Sequence, residues 1–228
     1  MEILLLDNHL LAANKPAGLV TQPSGAHADS LESRAKAWLK QELAKEGNVF
    51  LEAVHRIDRP VSGVVLFART SKALARLNAS QRDKDCTKTY LAIVTGEPAR
   101  PDGRLTDTLV HDPHRARIVP ADHADGKRAM LDYRVLATAS GRSLLRINLL
   151  TGRYHQIRVQ LAHAGWPIVG DTAYGSRERL PDGTIALHHW ELRVPHPVGD
   201  HDICRIVAPV PPVAPWSAFA LRLAALEN

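Results

Sequence analysis

Between Val54 and Ala68 the chain runs His55-Arg56-Ile57-Asp58-Arg59-Pro60 and then into Ser62–Ala68, a stretch of apolar and β-branched residues suited to burial. A carboxylate held among fixed cations at the mouth of a core can act as a nucleophile or as a base, because a nearby cation keeps it ionised. The same cluster is equally a solvated ion-pair group at a strand end, of small energetic consequence. Its company elsewhere shifts the balance. Residues 150–175 combine a Thr151-Gly152-Arg153 turn, His155-Gln156-Ile157-Arg158 at a polar helix start, and Gly170-Asp171 between further small residues. Lys88-Thr89-Tyr90-Leu91-Ala92 adds a tyrosine within a strand-like run.

These groups need a rigid base. Val49–Val54 and Gly63–Ala68 are predicted strands, which makes the Asp58 segment a connection on a fixed platform, the kind of place where a scaffold presents reacting groups. Upstream, Ile3–Leu6 and Leu10–Ala13 flank the turn signal Asp7-Asn8-His9 and predict an opening hairpin that Lys15-Pro16-Ala17-Gly18 stops. Asp29 and Glu32 have capping-box spacing before a helix carrying Leu31, Ala35, Trp38, Leu39 and Leu43, with Gly47 beyond it. Thr70 or Ser71 caps a second helix through about Arg82, and Lys88–Thr95 is a strand. Met130–Ala137, Ser143–Leu150, Ile185–Val194 and Ile203–Ala208 are further strands. His155–His163 forms a short helix closed at Gly165, and an amphipathic helix follows Pro215 from about Ser217. Helices do not alternate regularly with strands, so an α+β fold with a large, mostly antiparallel mixed sheet is expected, as one domain over residues 1–228.

Composition narrows the function classes. The chain has 228 residues, 45% hydrophobic, enough for a substantial core, and a net charge of +5 that suits a polyanionic partner such as nucleic acid. Cys86 and Cys204 alone cannot form a four-ligand zinc site or a disulfide scaffold, and a cytoplasmic location follows as the simplest expectation. His111-Asp112-Pro113-His114 and His188-His189 lack the cysteine pairs or the His-Glu-x-x-His spacing that would make a metal site. No glycine-rich nucleotide loop occurs, so neither metal nor nucleotide cofactor is expected. No stretch approaches the roughly 18 uncharged apolar residues of a membrane span.

The segments together resemble the RluA-type pseudouridine synthases. The resemblance rests on Lys15-Pro16-Ala17-Gly18-Leu19, His55-Arg56-Ile57-Asp58 with Ser62-Gly63 and Leu66-Phe67-Ala68, Lys88 with Tyr90, Thr151-Gly152-Arg153, His155-Gln156-Ile157-Arg158-Val159 and Gly170-Asp171. They occur in the family's order and span about residues 3–175. The resemblance implies the pseudouridine synthase fold with a central active-site cleft. The implied reaction detaches a uridine base within RNA from its ribose, turns it over and rejoins it through carbon 5. Position by position it places the catalytic aspartate at Asp58, the active-site tyrosine at Tyr90 and the arginine that pairs with the aspartate at Arg158. Arg56 matches the residue that in relatives fills the space left by a flipped base; His55, Lys15, Arg153 and His155 are further implied substrate-binding residues. Lys15 is equally readable as a structural lysine before a proline turn. The implied partner is tRNA or rRNA, bound by a monomer.

A uracil in a helix or loop must be extruded before it can react, at a cost of a few kcal/mol that phosphate contacts and stacking offset. Lys72, Arg76, Arg82 and Lys84 are candidates for such contacts, or simply a solvated helix face. Val61, Tyr154 and Gln160 depart from the family pattern, in which Thr, Thr or Ser, and His are common. The match begins near the first residue, which implies the catalytic domain without the small RNA-binding domain that larger relatives carry. Two other functions compete: a non-catalytic RNA binder, and a glycoside hydrolase, for which a second suitably placed carboxylate is not evident.

Overall fold

Asp7 shapes the first turn. Its Oδ1 accepts hydrogen bonds from the backbone N–H of His9 and Leu10 at 2.6 and 2.8 Å, joining β1 (Glu2–Leu6) to β2 (Leu10–Lys15) as the predicted hairpin. The structure is a computed structural model and describes residues 1–44 and 46–227. It divides into two compact units, Met1–Thr87 with His189–Pro209, and Lys88–His188 with Val210–Asn228.

In the first unit, β4 (Ser62–Ala68) is buried along its whole length and pairs antiparallel with β2 and with β3 (Glu52–Ala53). β10 (Leu187–Pro195), which starts in the second unit, lies beyond β4, and β11 (Ile203–Val207) pairs with it. β3 has two residues where Val49–Val54 was predicted, the backbone before Glu52 being irregular. Helix α1 (Leu31–Glu42) is capped by Ser30, whose hydroxyl accepts from Ser33 N at 3.0 Å while Ser33 Oγ accepts from Ser30 N at 2.9 Å. The capping box therefore lies one residue after the predicted Asp29–Glu32 pair; Asp29 forms an exposed ion pair with Arg34 and Glu32 a pair with Lys36. Aspartate and serine cap helices comparably well, so local preference does not fix which of two adjacent residues takes the cap. Helix α2 (Ser71–Asp83) is capped by Thr70, as expected. Its buried Ala73 and Leu77 join Leu10, Val64, Leu66, Leu192 and Ile206 in this unit's core.

One close approach locks the sheet here. Gly63 has φ +117°, and a β-carbon at that position would lie 2.2 Å from the carbonyl oxygen of His189. Only glycine allows β4 and β10 to meet in this way. Gly63→Ala is expected to lower stability by about 3 kcal/mol or more, because backbone, not a mobile side chain, obstructs the methyl. Urea denaturation measures it; a loss under about 1 kcal/mol would show that the strands can part without penalty.

The second unit is built on β5 (Thr87–Thr95), β9 (Arg142–Leu149), β8 (Lys127–Ala139), β6 (Asp102–His111) and β7 (Ala116–Val119), in that spatial order and antiparallel throughout. Helix α3 (Gln156–His163) buries Ile157, Val159 and Leu161, with Val159 packed among Leu109, Ala116, Ala129 and Tyr174. The chain ends in a 3₁₀ turn at Trp216–Phe219 and α4 (Ala220–Glu227), a split of the predicted single helix. Among the described residues no helix is long and apolar enough to cross a membrane.

Candidate active site

Asp58 lies in the irregular connection between β3 and β4, and its neighbours on both sides are tied to the segment that follows β2. Before it, Thr21 Oγ1 donates to Ile57 O at 3.0 Å and accepts from Ile57 N at 3.3 Å. After it, Arg59 O accepts from Gly18 N at 2.8 Å, and Arg59 Nε donates back to Gly18 O at 3.0 Å. Val61 N closes a turn onto Asp58 O at 3.0 Å. Ile57 is buried, so its side chain anchors the loop in the apolar interior, whereas Asp58 stays half-buried and Arg56 exposed. The backbone on either side of Asp58 is thereby held in place.

Lys15 completes this base. It has no exposed surface, and its Nζ donates to Leu19 O at 2.6 Å, Pro16 O at 3.1 Å and Arg59 O at 3.2 Å. Three carbonyls satisfy the three donors of an ammonium group. The expectation of Lys15 as a substrate-binding cation is therefore corrected to its structural alternative: the amine is enclosed and holds the turn that holds Asp58. His55 also works inward, its Nε2 accepting from Leu66 N at 3.2 Å and its ring meeting His189 edge to face at 5.2 Å. Of the four candidates in this unit, Lys15 is enclosed, His55 and Asp58 are half-buried and Arg56 is exposed.

Burial pushes the Lys15 amine down to about 7, and the nearby Asp58 charge opposes that shift. An unfolded lysine keeps its proton to its ordinary value of 10.5. Between about 7 and 10.5 the unfolded chain thus binds the extra proton, and stability rises with pH across that window. Relative to Lys15→Met, the wild type should gain about 1 kcal/mol per pH unit above pH 7 and be flat below it. Urea titrations of both proteins from pH 6 to 9 test this; parallel curves would mean that the amine keeps its proton throughout.

In the second unit, Tyr90 sits on β5 opposite Ile147 and is 7% exposed. The loop leading to α3 is organised by Gln156, a residue that the sequence offered only as part of a motif. Its Oε1 accepts from Thr151 Oγ1 at 2.8 Å and from Arg153 N at 3.0 Å, and its Nε2 donates to Met130 O at 3.0 Å. Arg158, two residues further on, makes a buried two-point ion pair with Asp171, Nε to Oδ2 at 2.7 Å and Nη2 to Oδ1 at 2.9 Å. Gly170, just before, has φ +90°, with Thr184 O 2.7 Å from where a β-carbon would stand, so the pair Gly170-Asp171 is a tight turn that delivers a carboxylate to α3. The family resemblance implied Asp58 as a partner of Arg158 and included Asp171 only within the Gly170-Asp171 motif; Asp171 is an additional partner, of which an acid following a glycine gives no local signal.

His155 precedes α3 in the left-handed region at φ 50° and donates to or accepts from Tyr174 Oη through Nδ1 at 2.9 Å. Arg153 is exposed, with its Nε on Arg128 O at 3.1 Å. Gln160 donates to Asp107 Oδ2 at 2.6 Å. The cations considered for phosphate contact, Lys72, Arg82 and Lys84, are exposed on or just after α2, while Arg76 Nη1 reaches Pro197 O at 2.5 Å. The described residues contain no cluster of three or more His, Cys, Asp or Glu able to hold a metal ion.

Comparison with known proteins adds three findings. A family model described as RNA pseudouridylate synthase matches residues 9–163. The chain is 35% identical over 92% of its length to ribosomal large subunit pseudouridine synthase D of Xanthomonas campestris, covering 66% of that protein, and 32% identical over 97% to the protein of that name from Vibrio cholerae, covering 71%. It spans 58% of an RNA pseudouridine synthase from Chloroflexus aurantiacus at 39% identity, so part of the length of these relatives lies outside the match. The solved structure titled Human RNA Pseudouridylate Synthase Domain Containing 4 superposes with a TM-score of 0.79 at 21% identity, over 98% of this chain and 93% of that one.

Proposed function

Because the chain belongs to the RNA pseudouridylate synthase family, we propose that it is an isomerase converting uridine in structured RNA to pseudouridine. The observation that carries this reading is the Asp58 loop, pinned at Ile57 by Thr21 and at Arg59 by Gly18 and Lys15. In the reaction the bond from ribose C1′ to N1 breaks, a bond from C1′ to C5 forms, and a proton passes from C5 to N1. No redox partner or cofactor is required by that balance. Asp58 serves as nucleophile or base, a carboxylate being competent for both. Tyr90 offers a flat face and a hydroxyl to the base. Arg158 is the cation that favours the ionised acid, its orientation set by the fork to Asp171. Arg56 takes the space of the extruded uracil, with His55 shaping the loop and Arg153 and His155 contributing to RNA binding.

The protein is proposed to act as a monomer in the cytoplasm. The curated relatives named for the ribosomal large subunit make that RNA the first substrate to test, with tRNA second. Mapping pseudouridine across total RNA in cells with and without the protein tests the proposal. A site that disappears, returns with the wild type and stays absent with Asp58→Ala is the expected result. An unchanged map would overturn it.

A further inference from the structure

Tyr154 is a large aromatic residue left 42% exposed, although its ring lies flat on His155, with centroids 3.9 Å apart and planes 18° from parallel. The support beneath it is rigid. His155 is bonded through Nδ1 to Tyr174 Oη at 2.9 Å, and that hydroxyl also accepts from Ala116 N at 2.8 Å. The guanidiniums of Arg115 and Arg158 lie 5.3 and 5.0 Å from the centre of the buried Tyr174 ring. His111, at the end of β6, leans on Tyr154 at 5.6 Å. A surface aromatic held this firmly has lost its rotamer freedom before any partner arrives, so a flat ligand stacking on it meets a small entropic cost.

The surroundings select the ligand. Arg115, in the turn before β7 and over the Tyr174 ring, and Arg153, beside Tyr154 in the chain, are exposed, as are Arg128, whose carbonyl accepts from Arg153 Nε, and Arg117 on β7. Asp112 pairs with Arg117 at 3.8 Å with both groups in solvent. A planar hydrophobic face with cations nearby matches a nucleobase attached to phosphates, and it favours an unpaired base, since both faces of a base inside a duplex are stacked. An acidic peptide would use the cations but not the flat ring.

We propose that Tyr154, backed by His155, is a stacking platform for an unpaired base of the substrate RNA away from the reacting uridine, with the surrounding arginines on the flanking phosphates. This rests on the RNA reading above and names a specificity-determining contact within it. The probe is a 20-nucleotide mixed-sequence single-stranded RNA and a fully paired duplex of the same length, each bound by wild type, Tyr154→Phe, Tyr154→Ser and Asp58→Asn. Tyr154→Ser is expected to weaken single-strand binding roughly five- to a hundredfold, Tyr154→Phe by less than about threefold, and neither to alter duplex binding. Equal loss with Phe and Ser, or wild-type affinity with Ser, would overturn the platform. Failure of the isomerase reading appears separately, as no pseudouridine formed by the wild type while the stacking effect in the binding assay persists.

Discussion

Asp58→Asn is expected to abolish pseudouridine formation, with kcat reduced at least about 1000-fold, while the folded structure and RNA affinity change little. The isostere keeps the shape but can act neither as nucleophile nor as base. The loop around it should survive, because backbone and side-chain hydrogen bonds at Ile57 and Arg59 hold it on both sides. A stability change within about 1 kcal/mol is therefore expected. A second signal accompanies the loss. Removing the Asp58 charge removes the influence that raises the Lys15 amine, so its midpoint should move below its wild-type value of about 7. Single-turnover assays with saturating protein separate chemistry from binding. A variant retaining more than a tenth of the wild-type rate would exclude Asp58 from the chemical step, and a non-catalytic RNA-binding protein would then be the better description.

Loss of Asp171 should be the most damaging single change to the second unit. Arg158 and Asp171 are 7% and 1% exposed in their side chains, so Asp171→Ala leaves a guanidinium buried without its two-point partner. Breaking such a pair from one side costs about 3–5 kcal/mol. In a protein of this size that lowers Tm by roughly 10 °C. Arg158→Lys should fare little better, since an ammonium cannot reproduce the planar fork. The double variant Arg158→Met/Asp171→Leu removes both charges and is expected to recover most of the stability, because apolar replacements remove the desolvation penalty along with the attraction. It should remain inactive if Arg158 serves the reaction. A double variant that recovers both stability and turnover would reduce Arg158 to a structural residue.

The proposed stacking platform at Tyr154 bears on specificity in a different way. Chemistry at a uridine requires only that one base be reached, whereas choosing among many uridines requires contacts to neighbours in the RNA. Tyr154 and Gln160 both lie on the segment from residue 153 to 163, yet the structure separates their roles. Gln160 is buried on Asp107 and Ala129, a packing substitution, while Tyr154 faces solvent. A departure from a family pattern thus acquires meaning from burial, which the sequence alone does not report.

What the sequence determined by itself was the local order: alternating and continuous apolar runs identified the strands, Thr70 marked the start of α2, and the polar break at His55–Pro60 marked a connection between strands. These signals are local because side-chain periodicity and capping act over a few residues. It also determined which residue types were present for chemistry. The partners of those residues were decided by tertiary structure. Lys15 could have been a solvent-facing cation or a buried tie, and only the convergence of Pro16, Leu19 and Arg59 carbonyls on its amine settles that. Thr21 reaches Ile57 across 36 positions and Asp171 reaches Arg158 across 13, distances at which no pattern of spacing specifies which donor meets which acceptor. Such pairings follow from how strands and turns pack, and packing is a property of the whole chain.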